Sequence, residues 1–578
     1  MLRRIASYLK GYGGYAAASP LLVTLETLCQ LTIPLLMAQI IAQGIEGENM
    51  TAVWKYGALM VAAAVVATAT GGLAARCAAY AAQGLGSNLR RAEFEKISSF
   101  SFADIDRFSS SSLITRMTND VTNIQNVAMV CLRILIRALV MLVASVILTL
   151  AISPRLTLVV LVVLPVMAAA LLLLMKVCMP LFEKMQQALD QLNETVQENL
   201  IAVRVVKSYV REDRERDKFK DANDNFTSTA LRAMLRMVAM QPMMTICMAA
   251  AVVLVLYNGG NMVLGGQLDI AYLQTVVGYI MQILMSLMMV GMALLQYSRA
   301  QASTRRVFEV IDARPSIADG GATSLPVPRG RVEFRDVSFR YQTEGEGEDV
   351  LKHISLEINP GEFVAVVGGT GTGKSSLVNL IPRFYDVHRG KVLVDGLDVR
   401  DYPLDALRGR IGMVLQNNVL FSGTIRENLL WGNENAAEEE LIQAARDAQA
   451  YDFIMSFPDG FDTNLDQGGV NVSGGQKQRL CIARAMVRKP AVLILDDSTS
   501  AVDTATEGRI RESFRQNLKD TTVIIIAQRI SSVQYADKIV VLDEGTIAGV
   551  GTHDELMASN EIYREIYDSQ QEGGDGNG

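Results

Sequence analysis

Gly368-Gly369-Thr370-Gly371-Thr372-Gly373-Lys374-Ser375 stands between an apolar run, Phe363 to Val367, and a second apolar stretch, Leu377 to Leu380. A strand that runs into a glycine-rich turn and leaves as a helix is the setting that the pattern G-x-x-x-x-G-K-[ST] needs. Glycines let several backbone N–H groups converge on phosphate oxygens, and the helix start adds the positive end of its dipole. Lys374 is then expected at the β- and γ-phosphates and the Ser375 hydroxyl on Mg²⁺, with Ser376 next to them in the binding set. A glycine-rich turn that holds no nucleotide is the bland alternative, and it does not require all eight positions. The stretch predicts a site for a nucleoside triphosphate.

About a hundred residues on, Val472-Ser473-Gly474-Gly475-Gln476-Lys477-Gln478-Arg479 is followed by Ala491-Val492-Leu493-Ile494-Leu495, which runs into Asp496-Asp497. The apolar strand ending in acid is the Walker B arrangement that holds Mg²⁺. Ser473, Gly474, Gly475 and Gln476 offer a hydroxyl, two bare backbones and a helix start, which suit a γ-phosphate. Between a phosphate loop and a Walker B strand, these residues make the chain resemble an ABC transporter ATPase over residues 331 to 567. The resemblance implies an α/β phosphate-loop ATPase that takes ATP and Mg²⁺. It places Tyr341 at the adenine and Gln416 at the Q-loop, where it joins Ser375 and Asp496 as a Mg²⁺ candidate. Ser500-Ala501-Val502-Asp503 falls at the D-loop.

The first half is a different material. The 578 residues are 50% hydrophobic and only 20% charged, too apolar for two ordinary soluble domains. The excess precedes residue 312. Uncharged runs of bilayer-crossing length, about 20 residues, are Tyr56–Ala75, Leu156–Met175, Met237–Leu268 and Ala271–Tyr297. Tyr15–Ile41 carries Glu26, and Val127–Ile152 carries Arg133 and Arg137. Six spans are therefore expected, with a polar connection at Asn258–Asp269 between the last two. The long connections, Gln83–Asn126 and Lys184–Arg232, hold most of the Lys and Arg, which puts them and the ATPase in the cytoplasm. Met1-Leu2-Arg3-Arg4 is followed by glycines and a full span, so Leu2–Tyr12 reads as an interfacial helix rather than a signal peptide. The six cysteines form no C-x-x-C pair and are expected reduced. A net charge of −7 argues against nucleic acid as a partner.

Six spans ahead of one ATPase resemble a half-transporter of the exporter type. The resemblance implies an all-helical membrane domain over 1–312, a linker over 313–330, an ATP-binding domain over 331–567 and a disordered tail over 568–578. It also implies cytoplasmic elbows that press on the ATPase, read at Arg107–Arg116 and Ile201–Glu212.

The departures carry as much weight as the matches. Where the family places the catalytic Glu after the Walker B Asp, this chain has Asp497, one methylene shorter. A misplacement of about an ångström can cost on the order of 10²-fold. Where the family has a switch histidine, this chain has Gln528, and none of its three histidines fits that position. Gln467 stands where many exporters carry Glu. The pattern resembles the degenerate half of heterodimeric bacterial multidrug exporters. It implies a partner half-transporter with an intact Glu and His, whose ATP would meet Ser473–Gln476 of this chain. A slow homodimer is the alternative.

Substrate is less legible. Methionines crowd the last two spans and suit an apolar, promiscuous cavity, or equally plain helix packing. Glu26, a carboxylate inside a span, is a substrate candidate by default. It either attracts cationic amphipaths or pairs with Arg133 or Arg137. Export of hydrophobic compounds across the cell membrane competes with export of a defined lipid or peptide, and with an ATP-regulated subunit that does not pump.

Overall fold

The computed structural model describes residues 2–322, 324–341, 347–497, 502–527 and 530–572. The chain divides into two compact units, Met1–Ser98 with Ser111–Ala313, and Ser99–Ser110 with Arg314–Gly578.

The first unit is built from long helices. They are α1 (Gly13–Gln39), α2 (Met50–Ser98), a run Ser110–Ile152, α5 (Pro154–Ile201), α7 (Glu212–Leu264) and α8 (Ile270–Asp312). The run Ser110–Ile152 contains π-helical turns, and its last part, Ile136–Ile152, is α4. Gly13–Ile45, Met50–Ser98, Ser110–Ile152 and Ile270–Leu294 are long and apolar enough to cross a membrane among the described residues. Shorter apolar stretches, Pro154–Ala169 and Met248–Leu264, lie in α5 and α7. Helices of 48 to 53 residues rise about 1.5 Å per residue and so exceed twice the roughly 30 Å hydrocarbon core. The long polar connections are therefore helix continuations.

Local chemistry sets the breaks. Ser153 caps α5 by accepting from the Leu156 N–H, with Pro154 at the first turn, and Asp269 caps α8 through the Ala271 N–H. Two short helices turn the chain, α3 (Phe102–Phe108) and α6 (Val203–Ser208).

Three expectations shift. The first elbow lies at Phe102–Phe108, ahead of Arg107–Arg116, because Ser101 and Asp104 form a reciprocal capping box and Ser109, at φ 55°, stops the helix. The short helix α6, Val203–Ser208, lies within the range Ile201–Glu212 read for the second elbow. The connection read at Asn258–Asp269 is shorter, since α7 runs through Asn258 to Leu264. At the amino end the interfacial helix is only Leu2–Ser7, followed by turns.

The second unit holds the sheets. Strands β1 (Val332–Phe339), β2 (Leu351–Ile358), β4 (Arg389–Val394) and β5 (Leu397–Asp398) make an antiparallel sheet in the order β2-β1-β4-β5. The other strands of note are β3 (Phe363–Gly368), β6 (Ile411–Val414), β9 (Val492–Asp496), β10 (Thr522–Ile526), β11 (Lys538–Asp543) and β12 (Thr546–Gly551), in the order β12-β11-β3-β10-β9-β6. A two-stranded ribbon pairs β7 (Gly423–Thr424) with β8 (Asn464–Leu465). In the six-stranded sheet all pairs but β11–β12 are parallel. Strands β9 and β10 are buried at every position, as a sheet covered on both faces requires. Beyond β12 a helix runs Glu561–Glu572, five residues into the tail read as disordered; Ile562, Ile566 and Tyr567 pack its earlier turns against the core, and the Gln570 side chain accepts from the Ile530 N–H at 2.8 Å. Residues 573–578 lie outside the described residues.

Candidate functional site

The parallel sheet gathers the site at its carboxyl edge, where ligands of open α/β sheets bind. Strand β3 ends at Gly368, the loop follows, and helix α9 starts at Lys374 (Lys374–Asn379). The glycines are used. Gly368, Gly371 and Gly373 hold φ of 151°, 83° and 92°. A Cβ on Gly368 would lie 2.2 Å from the Leu542 carbonyl oxygen, and one on Gly373 would lie 2.8 Å from the Leu351 side chain. Only glycine fits both conformation and space. Thr370 and Gly369 are exposed in the loop, and the Thr372 hydroxyl donates to the Gly369 carbonyl at 3.0 Å. The Lys374 ammonium reaches back over the loop to the carbonyls of Gly368 (2.9 Å) and Gly369 (2.5 Å). Burial lowers its pKa, opposed by Asp496 and Asp497.

Strand β10 lies between β3 and β9, with Ile526 level with both Val366 and Asp496. That register brings the phosphate loop and the acidic end of β9 onto one edge. Ser375 donates its hydroxyl to Asp496 at 3.1 Å. Burial raises the Asp496 pKa, the Ser375 hydrogen bond opposes it, and the neighbouring Asp497 charge raises it further. A cation would relieve that strain, and a hydroxyl beside a carboxylate is a hard-oxygen pair suited to Mg²⁺. Asp497 follows in the left-handed region at φ 48°, its N–H donating to the Ile526 carbonyl at 3.3 Å. Asp tolerates that backbone better than longer side chains.

Gln416 is exposed two residues beyond β6, whose Val414 is level with Leu495 of β9. The Tyr341 hydroxyl shares a 2.8 Å hydrogen bond with that of Ser376, and its ring meets Phe339 and Tyr385 edge-on at 4.9 and 5.1 Å. Gln528, and Ser500 and Ala501 of the D-loop, lie outside the described residues. Asp503 caps the helix Thr504–Asn517 by accepting from the Thr506 N–H at 2.9 Å, which holds its carboxylate below the usual range.

Ser473, Gly474, Gly475 and Gln476 open the helix Gly474–Val487. A reciprocal capping box fixes them: the Gln476 N–H donates to the Ser473 hydroxyl at 3.3 Å, and the Ser473 N–H to the Gln476 side chain at 2.9 Å. Ser473 and Gly474 stay exposed, which leaves this helix start open to a second surface.

In the membrane unit, Glu26 is buried on α1. Arg137 donates to it at 3.1 Å and to Gln30 at 2.8 Å, and the Gln30 amide lies 3.4 Å from the same Glu26 oxygen. Of the alternatives for Glu26, the pairing with Arg137 is present. Gly71 makes the room, because a Cβ there would come within 2.8 Å of the Glu26 carboxyl carbon.

Four residues escaped the sequence reading. The Tyr385 hydroxyl donates to Asp106 of elbow α3 at 2.8 Å, and Phe102 stacks on Phe384 at 4.4 Å. Tyr385 also packs on Tyr341, so an elbow residue and the phosphate-loop helix are two aromatic rings apart. The aromatic pair Phe384-Tyr385, soon after the phosphate loop, was the available signal.

Comparison with known proteins agrees with this geometry. Residues 17–287 match the ABC transporter transmembrane region and residues 351–500 match the ABC transporter family. The chain is 38% identical over 569 residues, 98% of each chain, to the uncharacterized ABC transporter ATP-binding protein YfiB of Bacillus subtilis. It is 34% identical over 588 residues, 99% of each, to the putative multidrug export ATP-binding/permease protein YgaD of the same organism. Among solved structures it resembles a bacterial Atm1-family ABC exporter with ATP bound, at TM-score 0.81 and 26% identity over 97% of this chain and 98% of that one. The chain belongs to the ABC transporter family, as an exporter-type half-transporter with a membrane domain and an ATP-binding domain.

Proposed function

We propose that this ABC exporter half moves hydrophobic or amphipathic compounds across the cell membrane as one side of a heterodimer, and that its own phosphate-loop site binds ATP but hydrolyses it slowly. The observation that carries the reading is Asp497. It directly follows Asp496 at the edge of the sheet, at φ 48°, where hydrolysis needs a carboxylate to orient the attacking water. Its side chain is one methylene short for that task. Gln528 has no imidazole with which to sense a γ-phosphate.

ATP binding needs none of these groups. Gly368 to Gly373 shape the loop, Lys374 supplies a cation, and Tyr341 offers its ring to the adenine. Ser375 and Asp496, with Gln416, would hold Mg²⁺, which when bound neutralises charge on the phosphates. The other nucleotide would be held by the partner's phosphate loop against this chain's Ser473–Gln476. Two relatives lend support: the Bacillus subtilis protein named as a putative multidrug exporter is similar over the full length, and so is the Atm1-family exporter.

The test is ATP-driven accumulation of an uncharged apolar dye, Nile red, in inside-out vesicles carrying this chain alone or with its partner. The proposal expects accumulation with both halves and little with this chain alone. No ATP-dependent accumulation from the pair would favour a non-pumping subunit, and full activity from this chain alone would favour a homodimer.

A further inference from the structure

The sharpest feature outside the nucleotide site is a cavity of about 410 Å³ in the membrane unit. One wall carries Arg133 and Arg137; the other carries Met285, Met288, Met289 and Met292 of α8. The methionines recur at spacings of three and four, so they form one helix face, and the arginines are likewise one turn apart. Among the described residues no carboxylate lines the cavity. The two guanidinium groups are not equivalent. Arg137 is paired with Glu26 and hydrogen-bonded to Gln30. Arg133 makes no ion pair or hydrogen bond among the described residues. It also sits in a π-helical turn, Val130–Leu135, a distortion that recurs at functional sites.

An arginine left unpaired inside a span is costly and marks a pathway or a binding group. Here the charge balance of the wall is two guanidinium groups less one carboxylate, so one positive charge remains. Facing it are unbranched, polarisable thioether side chains that adapt to irregular apolar shapes. We propose that this cavity binds amphipathic monoanions, a single carboxylate, sulfonate or phosphodiester on Arg133 and a flexible apolar body against the methionines. The inference rests on the export reading and narrows its substrate class. It runs opposite to the attraction for cations that Glu26 suggested by itself, because Arg137 consumes that charge.

The test is equilibrium binding of 11-(dansylamino)undecanoate and of its uncharged methyl ester to the full chain in phosphatidylcholine nanodiscs, read by dansyl fluorescence against empty nanodiscs. The acid should bind on the order of tenfold more tightly than the ester. Arg133→Gln should erase that preference with ester binding kept, Arg133→Lys should restore most of it, and Arg155→Gln, whose guanidinium bonds Gln267 away from the cavity, should leave it intact. Retained ATP binding by each variant shows that it is folded. Equal binding of acid and ester by the unaltered chain, or a preference that survives Arg133→Gln, overturns the proposal. Phosphatidylglycerol added to the nanodisc separates the sources: displacement of the acid supports a bilayer lipid as the natural anion, and no displacement supports a solute. ATP-driven uptake of both probes tests export separately. A binding preference without uptake of either probe keeps the site and removes the exporter reading.

Discussion

The phosphate-loop face and the signature face of this ATPase have kept different things. On the first, the glycine geometry, Lys374 and the Ser375–Asp496 pair are in place, while the residue after Asp496 is a shortened acid. On the second, Ser473 to Gln476 are complete and held by their own capping box. On the proposed function, the difference teaches that binding and hydrolysis are separable demands. Binding depends on backbone shape, which glycines enforce, whereas hydrolysis depends on the reach of one carboxylate to about an ångström.

The largest expected effect comes from the intact face. Gly475→Asp sets a negative charge where a γ-phosphate would come, and should cut ATPase and dye efflux of the assembled pair by about 10²-fold or more. Lys374→Ala removes a cation from the other face, where ATP would mainly hold the two halves together. Nucleotide affinity should fall there by at least tenfold, while hydrolysis by the pair should fall only severalfold, roughly 1 kcal/mol in barrier. Equal and near-total loss from both substitutions would erase the difference between the faces.

Two smaller effects sharpen it. Asp497→Glu with Gln528→His should raise hydrolysis at this chain's own site, measured in the pair with the partner's site disabled. The gain should be partial, since Glu is less at ease than Asp at φ 48°, a cost of about 1 kcal/mol. No gain at all would place the block in the opposing signature. Tyr385→Phe deletes the hydrogen bond to Asp106 and should lower substrate-stimulated ATPase by about fivefold, in line with roughly 1 kcal/mol for one hydrogen bond. Unchanged stimulation would show that this elbow contact is not used.

Much of this was legible because it is local. The phosphate loop announces itself in eight consecutive residues, and its strand and helix follow from the flanking apolar runs. The spans were legible from their lack of charge. The elbow at Phe102–Phe108 was not, because a seven-residue helix has no periodicity to read and its cap, Ser101 with Asp104, lies in polar sequence. Neither was the partner of Glu26. Arg133 and Arg137 share a helix face, and only the offset of α1 along the neighbouring helix selects Arg137. Tyr385 reaches Asp106 across 279 positions of sequence, a separation that no motif spans.

The central claim is that this chain's own site binds ATP and turns it over only slowly, and the most direct measurement is made on the purified chain alone. Binding of a fluorescent ATP analogue with Mg²⁺ and steady phosphate release are followed on the same preparation. The account predicts saturable binding with turnover below about 0.1 per second; steady turnover of several per second, within the ordinary range of enzymes, would contradict it.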